Sequence, residues 1–97
     1  ELAMGSDAPV SPVDPWGAVR VAVERTGDLR PGWHMEHALT VSQALLSSTR
    51  QIAEVVEGGP SDVIAVGTNP FDLSGETLAG LTSDLTIVGG EVTASAI

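Results

Sequence analysis

A carboxylate held still between a short extended segment and a rigid loop can bind a hard or borderline cation, or take a proton from water on that cation. The segment Gly5-Ser6-Asp7-Ala8-Pro9 gives Asp7 that setting, after the partly apolar run Glu1–Met4 and before Pro9, Pro12 and Pro15. Taken alone, the pattern fits an Asx-type turn or a plain strand end better than a site. His34-Met35-Glu36-His37 offers two histidines three positions apart with an acid between them, which on a helix could clasp a metal. The stretch follows Pro31-Gly32 and reads as loop, which favours exposed polar residues. Ser47-Ser48-Thr49 supplies hydroxyls with no base nearby, a poor basis for a nucleophile. Gly89-Gly90 has no lysine or helix start after it, so it reads as a hairpin turn and not as a phosphate loop. Trp16 and Trp33 could line a pocket, although Trp16 falls in the first turn of a helix, where packing is the simpler role. Glu54, Glu57 and Asp62 read as a solvated face.

The elements that must position these residues are partly legible. Prolines 9, 12 and 15 define an extended loop, because each fixes φ and removes a donor. Asp14 as N-cap with Pro15 at the first helical position predicts a helix, ended by Thr26-Gly27-Asp28. Trp16, Val19 and Val23 share one face of it. Val19, Val21 and Val23 also alternate as in a strand, but the cap is the more specific signal. Residues 28–37 read as an irregular loop. Thr40-Val41-Ser42-Gln43 is a capping box that opens a second helix with Val41, Ala44, Leu45 and Ser48 inward, reaching about Arg50. Its continuation through 52–57 is left open, and Gly58-Gly59-Pro60 stops it. Asp62–Val66 reads as a buried strand and Gly67–Ser74 as a turn region, with one loose helical turn within Gly75–Ser83. Asp84–Val88, Gly89-Gly90 and Glu91–Ser95 form the strongest hairpin. Direct closure sets Ile87 opposite Val92 and Leu85 opposite Ala94 on one side, with Thr86–Thr93 and Val88–Glu91 on the other. That sheet suits packing on one face.

Composition narrows the function classes. The chain has 97 residues, 42% hydrophobic, which allows one small domain or a piece of a larger one. The absence of cysteine excludes a disulfide scaffold, a thiolate zinc site and a thiol nucleophile. Thirteen acids face four bases, all arginine (Arg20, Arg25, Arg30, Arg50). The resulting charge of −9 repels phosphate backbones and anionic lipid, so no nucleic acid and no membrane are expected as partners. No apolar run approaches the ~20 residues of a bilayer span, and no secretion leader is visible.

Leu2–Arg25, LAMGSDAPVSPVDPWGAVRVAVER, resembles the last barrel strand, following loop and helix of the amidohydrolase superfamily. The branch it is most similar to is amidohydrolase family 3, the formamide-deformylase-like metal-dependent hydrolases. HALTVSQAL from His37 is similar to a helix start of those enzymes, and GGPSDVIAV from Gly58 to one of their strands. Pro70-Phe71-Asp72 matches the turn that follows, and TIVGGEVT from Thr86 their terminal hairpin. The blocks come in the family's order and span almost the whole chain.

The resemblance implies an α+β fragment. Residues 1–52 would hold the last strand, loop and helices of a (β/α)8, or TIM, barrel, and residues 53–97 strands of the small composite β-sandwich. Active sites of such barrels lie at the C-terminal ends of the strands, where Asp7 would fall. The matching aspartate of the family ligates the metal, zinc here by implication, and serves as general base, with Ser6, Ala8 and Pro9 shaping the loop. The family's His-x-His pair, its carboxylated lysine or glutamate and its two later histidines have no counterpart in residues 1–97. The chain alone is therefore expected to be inactive. Its parent is expected to be a cytoplasmic enzyme that hydrolyses an amide or other C–N bond of a small molecule by metal-activated water. Self-association, or pairing with an absent N-terminal part, is expected to cover bare apolar surface, with Leu2, Val19, Val23 and Leu45 poorly buried otherwise. The alternative is a non-catalytic binding or structural module derived from such an enzyme.

Overall fold

The structure, a computed structural model, describes residues 1–97. Helix α1 spans Pro15–Glu24 and begins as its sequence dictates: Asp14 Oδ1 accepts the Gly17 N–H at 3.0 Å, and proline at the first position gives up a donor that has no partner there. A Cβ at residue 17 would run into the Asp14 carboxylate, so glycine leaves the cap its room. Arg25 ends the helix in the left-handed region at φ 58. The loop that follows is tied at both of its ends. The Trp33 N–H donates to Arg25 O at 3.1 Å, and Arg25 Nε donates to Trp33 O at 3.0 Å.

Helix α2 spans Val41–Ser48. Its capping box is formed in both directions, Gln43 N–H to Thr40 Oγ1 at 3.1 Å and Thr40 N–H to Gln43 Oε1 at 2.9 Å. It stops two residues short of Arg50. The Ser47, Ser48 and Thr49 hydroxyls donate to the carbonyls of Gln43, Ala44 and Leu45 at 2.8, 2.8 and 3.1 Å. Arg50 then turns left-handed at φ 53, and Gln51 N–H reaches back to Leu46 O at 2.9 Å. The helix does not continue through 52–57.

Three antiparallel strands, β1 (Val63–Val66), β2 (Ser83–Val88) and β3 (Glu91–Ser95), form an open sheet in the order β1-β2-β3. The β2–β3 turn places Gly89 and Gly90 at φ 57 and 81, positive values that glycine adopts without side-chain strain. Val88 lies opposite Glu91 and Ile87 opposite Val92, as direct closure predicts. Farther along, a bulge moves the ladder by one, so Thr86 faces Ala94 and Leu85 faces Ser95. Thr93 is the additional residue, and its hydroxyl donates to Thr86 O at 3.3 Å. The turn is also tied to β1, with Gly89 N–H donating to Asp62 Oδ1 at 2.8 Å and Gly90 N–H to Ser61 O at 3.1 Å.

Glu1–Met4, the short run before Gly5, joins no ladder; Met4 N–H donates to Ser47 O at the end of α2, at 3.0 Å. One strand expectation is corrected. β1 is not a buried strand, because the main packing contacts run among helices or among strands and leave Ile64 half exposed. The sheet is therefore not packed over one face as its alternation suggests.

Helix α3 (Gly75–Ala79) follows a single 3-10 turn at Pro70–Asp72 and is opened by Ser74. It lies within Gly75–Ser83, where the loose turn was expected, and carries the fold's most buried leucine. Val19 of α1, Ala44 of α2 and Leu78 of α3 are the buried apolar residues, 2%, 0% and 1% exposed. Trp16, Val23, Leu39 and Leu45 pack around them half buried. The expectation that Val19, Val23 and Leu45 stay poorly buried is thus not met: Val19 is buried with Leu78 of α3, and Val23 and Leu45 are partly buried against them. Leu2 is 51% exposed, as expected.

Arg20 is buried beside this cluster, at 7% exposure, and its charge is fully committed. Nε donates to Glu24 Oε1 at 3.2 Å, Nη1 to Gly27 O at 3.2 Å and Nη2 to Asp28 O at 2.9 Å. Glu24 Oε2 in turn accepts the Gly75 N–H at 2.7 Å, which fixes the start of α3. The result is a small α+β unit of three helices and an open antiparallel sheet, in which residues 1–52 and 53–97 share one core through Leu78. No helix is long and apolar enough to cross a membrane.

With only a few side chains fully buried, the loss of one should be felt by the whole unit. Leu78→Ala is expected to lower unfolding stability by about 2–4 kcal/mol, read as a fall in denaturant midpoint. A loss below about 0.5 kcal/mol would show that the three helices do not depend on this contact.

Candidate functional site

Asp7 is positioned from the end of α2. Gln51 Nε2 donates to Leu2 O at 2.9 Å, Met4 N–H donates to Ser47 O, and the Ser48 hydroxyl lies 3.6 Å from Met4 Sδ. Met4 itself packs against the core cluster. Three residues later Asp7 turns left-handed at φ 54, a conformation aspartate tolerates better than most residues. Its carbonyl accepts the Val10 N–H at 2.9 Å, closing a turn through Ala8 and Pro9, whose peptide bond is cis. Asp7 thus lies between a backbone bond at Met4 and the turn closed at Val10, and its side chain is exposed. The ion pairs of the fold engage Glu24, Asp28, Glu36 and Asp62, and none engages Asp7.

One carboxylate does not make a metal centre. A catalytic zinc takes at least three protein ligands, and Asp7 belongs to no group of three or more converging histidines and carboxylates in this chain. Residues 1–97 on their own do not fit a resident metal at Asp7. Ser6 is half buried beside it, while Ala8 and Pro9 are exposed with the loop.

The histidines behave differently from the sequence reading in one respect. They are exposed, as expected, but a 3-10 turn at Met35–His37 folds the segment on itself, with His37 N–H donating to His34 O at 2.9 Å. His34 Nδ1 then lies 2.7 Å from Glu36 Oε1, and His37 Nε2 lies 3.9 Å from the same oxygen. The His34 ring stands edge-on to Trp33 with centroids 4.1 Å apart. The hydrogen bond from His34, together with one from its own backbone amide, holds the Glu36 carboxyl below its usual range. Pro31-Gly32 hid this arrangement, because it broke the helical pattern that two histidines three apart would need. The remaining signal was Glu36 between them.

The other candidates resolve simply. The Ser47, Ser48 and Thr49 hydroxyls are all given to helix carbonyls, so none is a free nucleophile. Trp16 packs on the core, and Trp33 is 69% exposed. Glu54, Glu57 and Asp62 are exposed, although Asp62 also holds the hairpin turn, a role no local pattern announced. An open groove of about 480 Å³ lies between α3 and the start of β2, with Glu76 and Asp84 on its walls, and a smaller one of about 200 Å³ lies between Leu2 and α2. Neither is lined by Asp7 or by the histidines.

The loop before the histidines carries the strongest perturbation of charge. Arg30 donates to Asp28 from its side chain at 2.9 Å and from its backbone N–H at 2.9 Å, and Thr26 adds a third bond. The Arg30 side chain foremost, then its amide, hold the Asp28 carboxyl down at about 2. A depressed carboxylate adds stability above its ordinary value of 3.8, and that contribution disappears as the pH falls through about 2. The Asp28 carboxyl followed by NMR should titrate near 2 and return toward 3.8 in Arg30→Ala; a midpoint already near 3.8 in the parent chain would contradict the pairing.

Comparison of the chain with protein-family models, with curated proteins and with solved structures finds no match.

Proposed function

We propose that residues 1–97 are the C-terminal part of a metal-dependent amidohydrolase that acts on an amide or other C–N bond of a small molecule in the cytoplasm. Residues 1–52 then end a (β/α)8 barrel, and residues 53–97 contribute strands to a composite β-sandwich. The observation that carries the reading is Asp7 itself: a carboxylate with no ion-pair partner, exposed, and held between a segment pinned to α2 and a closed turn. That is the presentation a metal ligand and general base needs. It stands within LAMGSDAPVSPVDPW, the block on which the family resemblance rests.

A second feature supports the same reading. Leu2, Val10, Val13, Val21, Val92 and Ile97 are exposed although apolar, which is costly for a unit meant to stand alone. The rest of a barrel and sandwich would cover such surface. The other metal ligands lie, in this proposal, on that rest. A metal held there by Asp7 and by ligands of that remainder would supply an acidified water and a Lewis acid for the carbonyl. The work of this chain is narrower: the Asp7 carboxylate accepts a proton and returns it to the leaving nitrogen, and the Pro9–Pro15 loop keeps that carboxylate in place.

The test is Asp7→Asn in the longer protein. Turnover should fall by about 10³-fold or more with the fold unchanged by circular dichroism, as befits loss of a general base. Near-normal kcat would remove Asp7 from the mechanism. A reading frame without upstream histidines would favour the non-catalytic module.

A further inference from the structure

We propose that His34, Glu36 and His37 form a second, surface site for a divalent transition-metal cation of the zinc or copper class. It is independent of Asp7 and of the hydrolase reading. Their ligand atoms all lie within 4.8 Å of one another. Glu36 Oε1 sits between the rings, 2.7 Å from His34 Nδ1 and 3.9 Å from His37 Nε2. Ligands about 2.1 Å from one cation stand roughly 3–3.5 Å apart, so these separations bracket what is required and small rotations of exposed side chains suffice.

The backbone already brings the two rings together. His34, the left-handed N-cap (φ 52) of the Met35–His37 turn, and His37 at its end are tied by the bond from His37 N–H to His34 O, and their ring centroids lie 5.9 Å apart. Trp33 limits His34 from the other face, and the Arg25–Trp33 bonds anchor the loop behind it. Two imidazoles and one carboxylate select borderline transition metals over calcium and magnesium, which prefer all-oxygen cages. The chain's net charge of −9 favours any approaching cation. Binding exchanges the His34–Glu36 hydrogen bond for two bonds to the cation: the proton leaves His34 Nδ1, either to Nε2 as the other neutral tautomer or, from the charged ring, to solvent, and His37 Nε2 is the third ligand.

The experiment is titration of the untagged chain with zinc ion alone, followed by calorimetry and by the ring nitrogens of both histidines in NMR. We expect saturable binding of one zinc per chain, with shifts at His34 Nδ1 and His37 Nε2. His34→Ala and His37→Ala should each weaken binding at least tenfold, Glu36→Gln should weaken it less, and excess magnesium should not compete. Absence of saturable binding, or shifts confined to other residues, would overturn the proposal. So would unchanged affinity in the double histidine variant. The ring-nitrogen readout on the parent chain decides the matter even if a variant fails to fold.

Discussion

The fold hangs on one cluster, to which each helix gives one buried side chain: Val19, Ala44 and Leu78. A chain this short has little interior, so this cluster does the work that a larger core would distribute. Polar closures extend it. Arg20, buried at its edge, joins α1 to the Gly27 and Asp28 carbonyls and, through Glu24, to the start of α3. An arginine in that position is tolerable because each of its three side-chain nitrogens meets an acceptor. The sheet stands apart from this centre, held by its own ladders and by the bond from Gly89 to Asp62.

The candidate site inherits its order from the same centre. Ala44 and Leu45 of α2 pack at the core, Ser47 O at the end of that helix accepts Met4 N–H, and Met4 leads to the turn that carries Asp7. The serines and threonine that end α2 set where Ser47 O and Gln51 stand, and so where the extended segment can lie. The histidine turn is ordered separately, from the C-terminal end of α1 through Arg25 and Trp33.

Sequence reasoning succeeded where structure is local. Asp14-Pro15, the Thr40–Gln43 box and Gly89-Gly90 each act within a few residues, and each forms as written. It failed where the decisive partner is distant. The short run Glu1–Met4 is tied to a helix end more than forty positions away, and nothing in its own composition says so. β1 looked buried because its side chains are apolar, but burial depends on a layer above it that the main contacts do not provide. The resemblance leaves Val19 bare for want of the other barrel strands, yet Leu78 of α3 joins it in the core. The one-residue bulge at Thr93 and the clasp around Arg20 are likewise tertiary facts. For the site, the type and setting of Asp7 were readable, and its isolation from other ligands within residues 1–97 follows from the same sequence. The convergence of His34, Glu36 and His37 needed the turn.

In the proposed reading, Asp7 is one corner of a metal centre completed by other segments of a longer hydrolase. The most direct measurement is anomalous diffraction at the metal's absorption edge from crystals of the complete, metal-loaded protein. The predicted result places an Asp7 carboxylate oxygen about 2.0–2.2 Å from a metal at the mouth of a barrel. A metal bound elsewhere, with the Asp7 carboxylate facing open solvent, would contradict it.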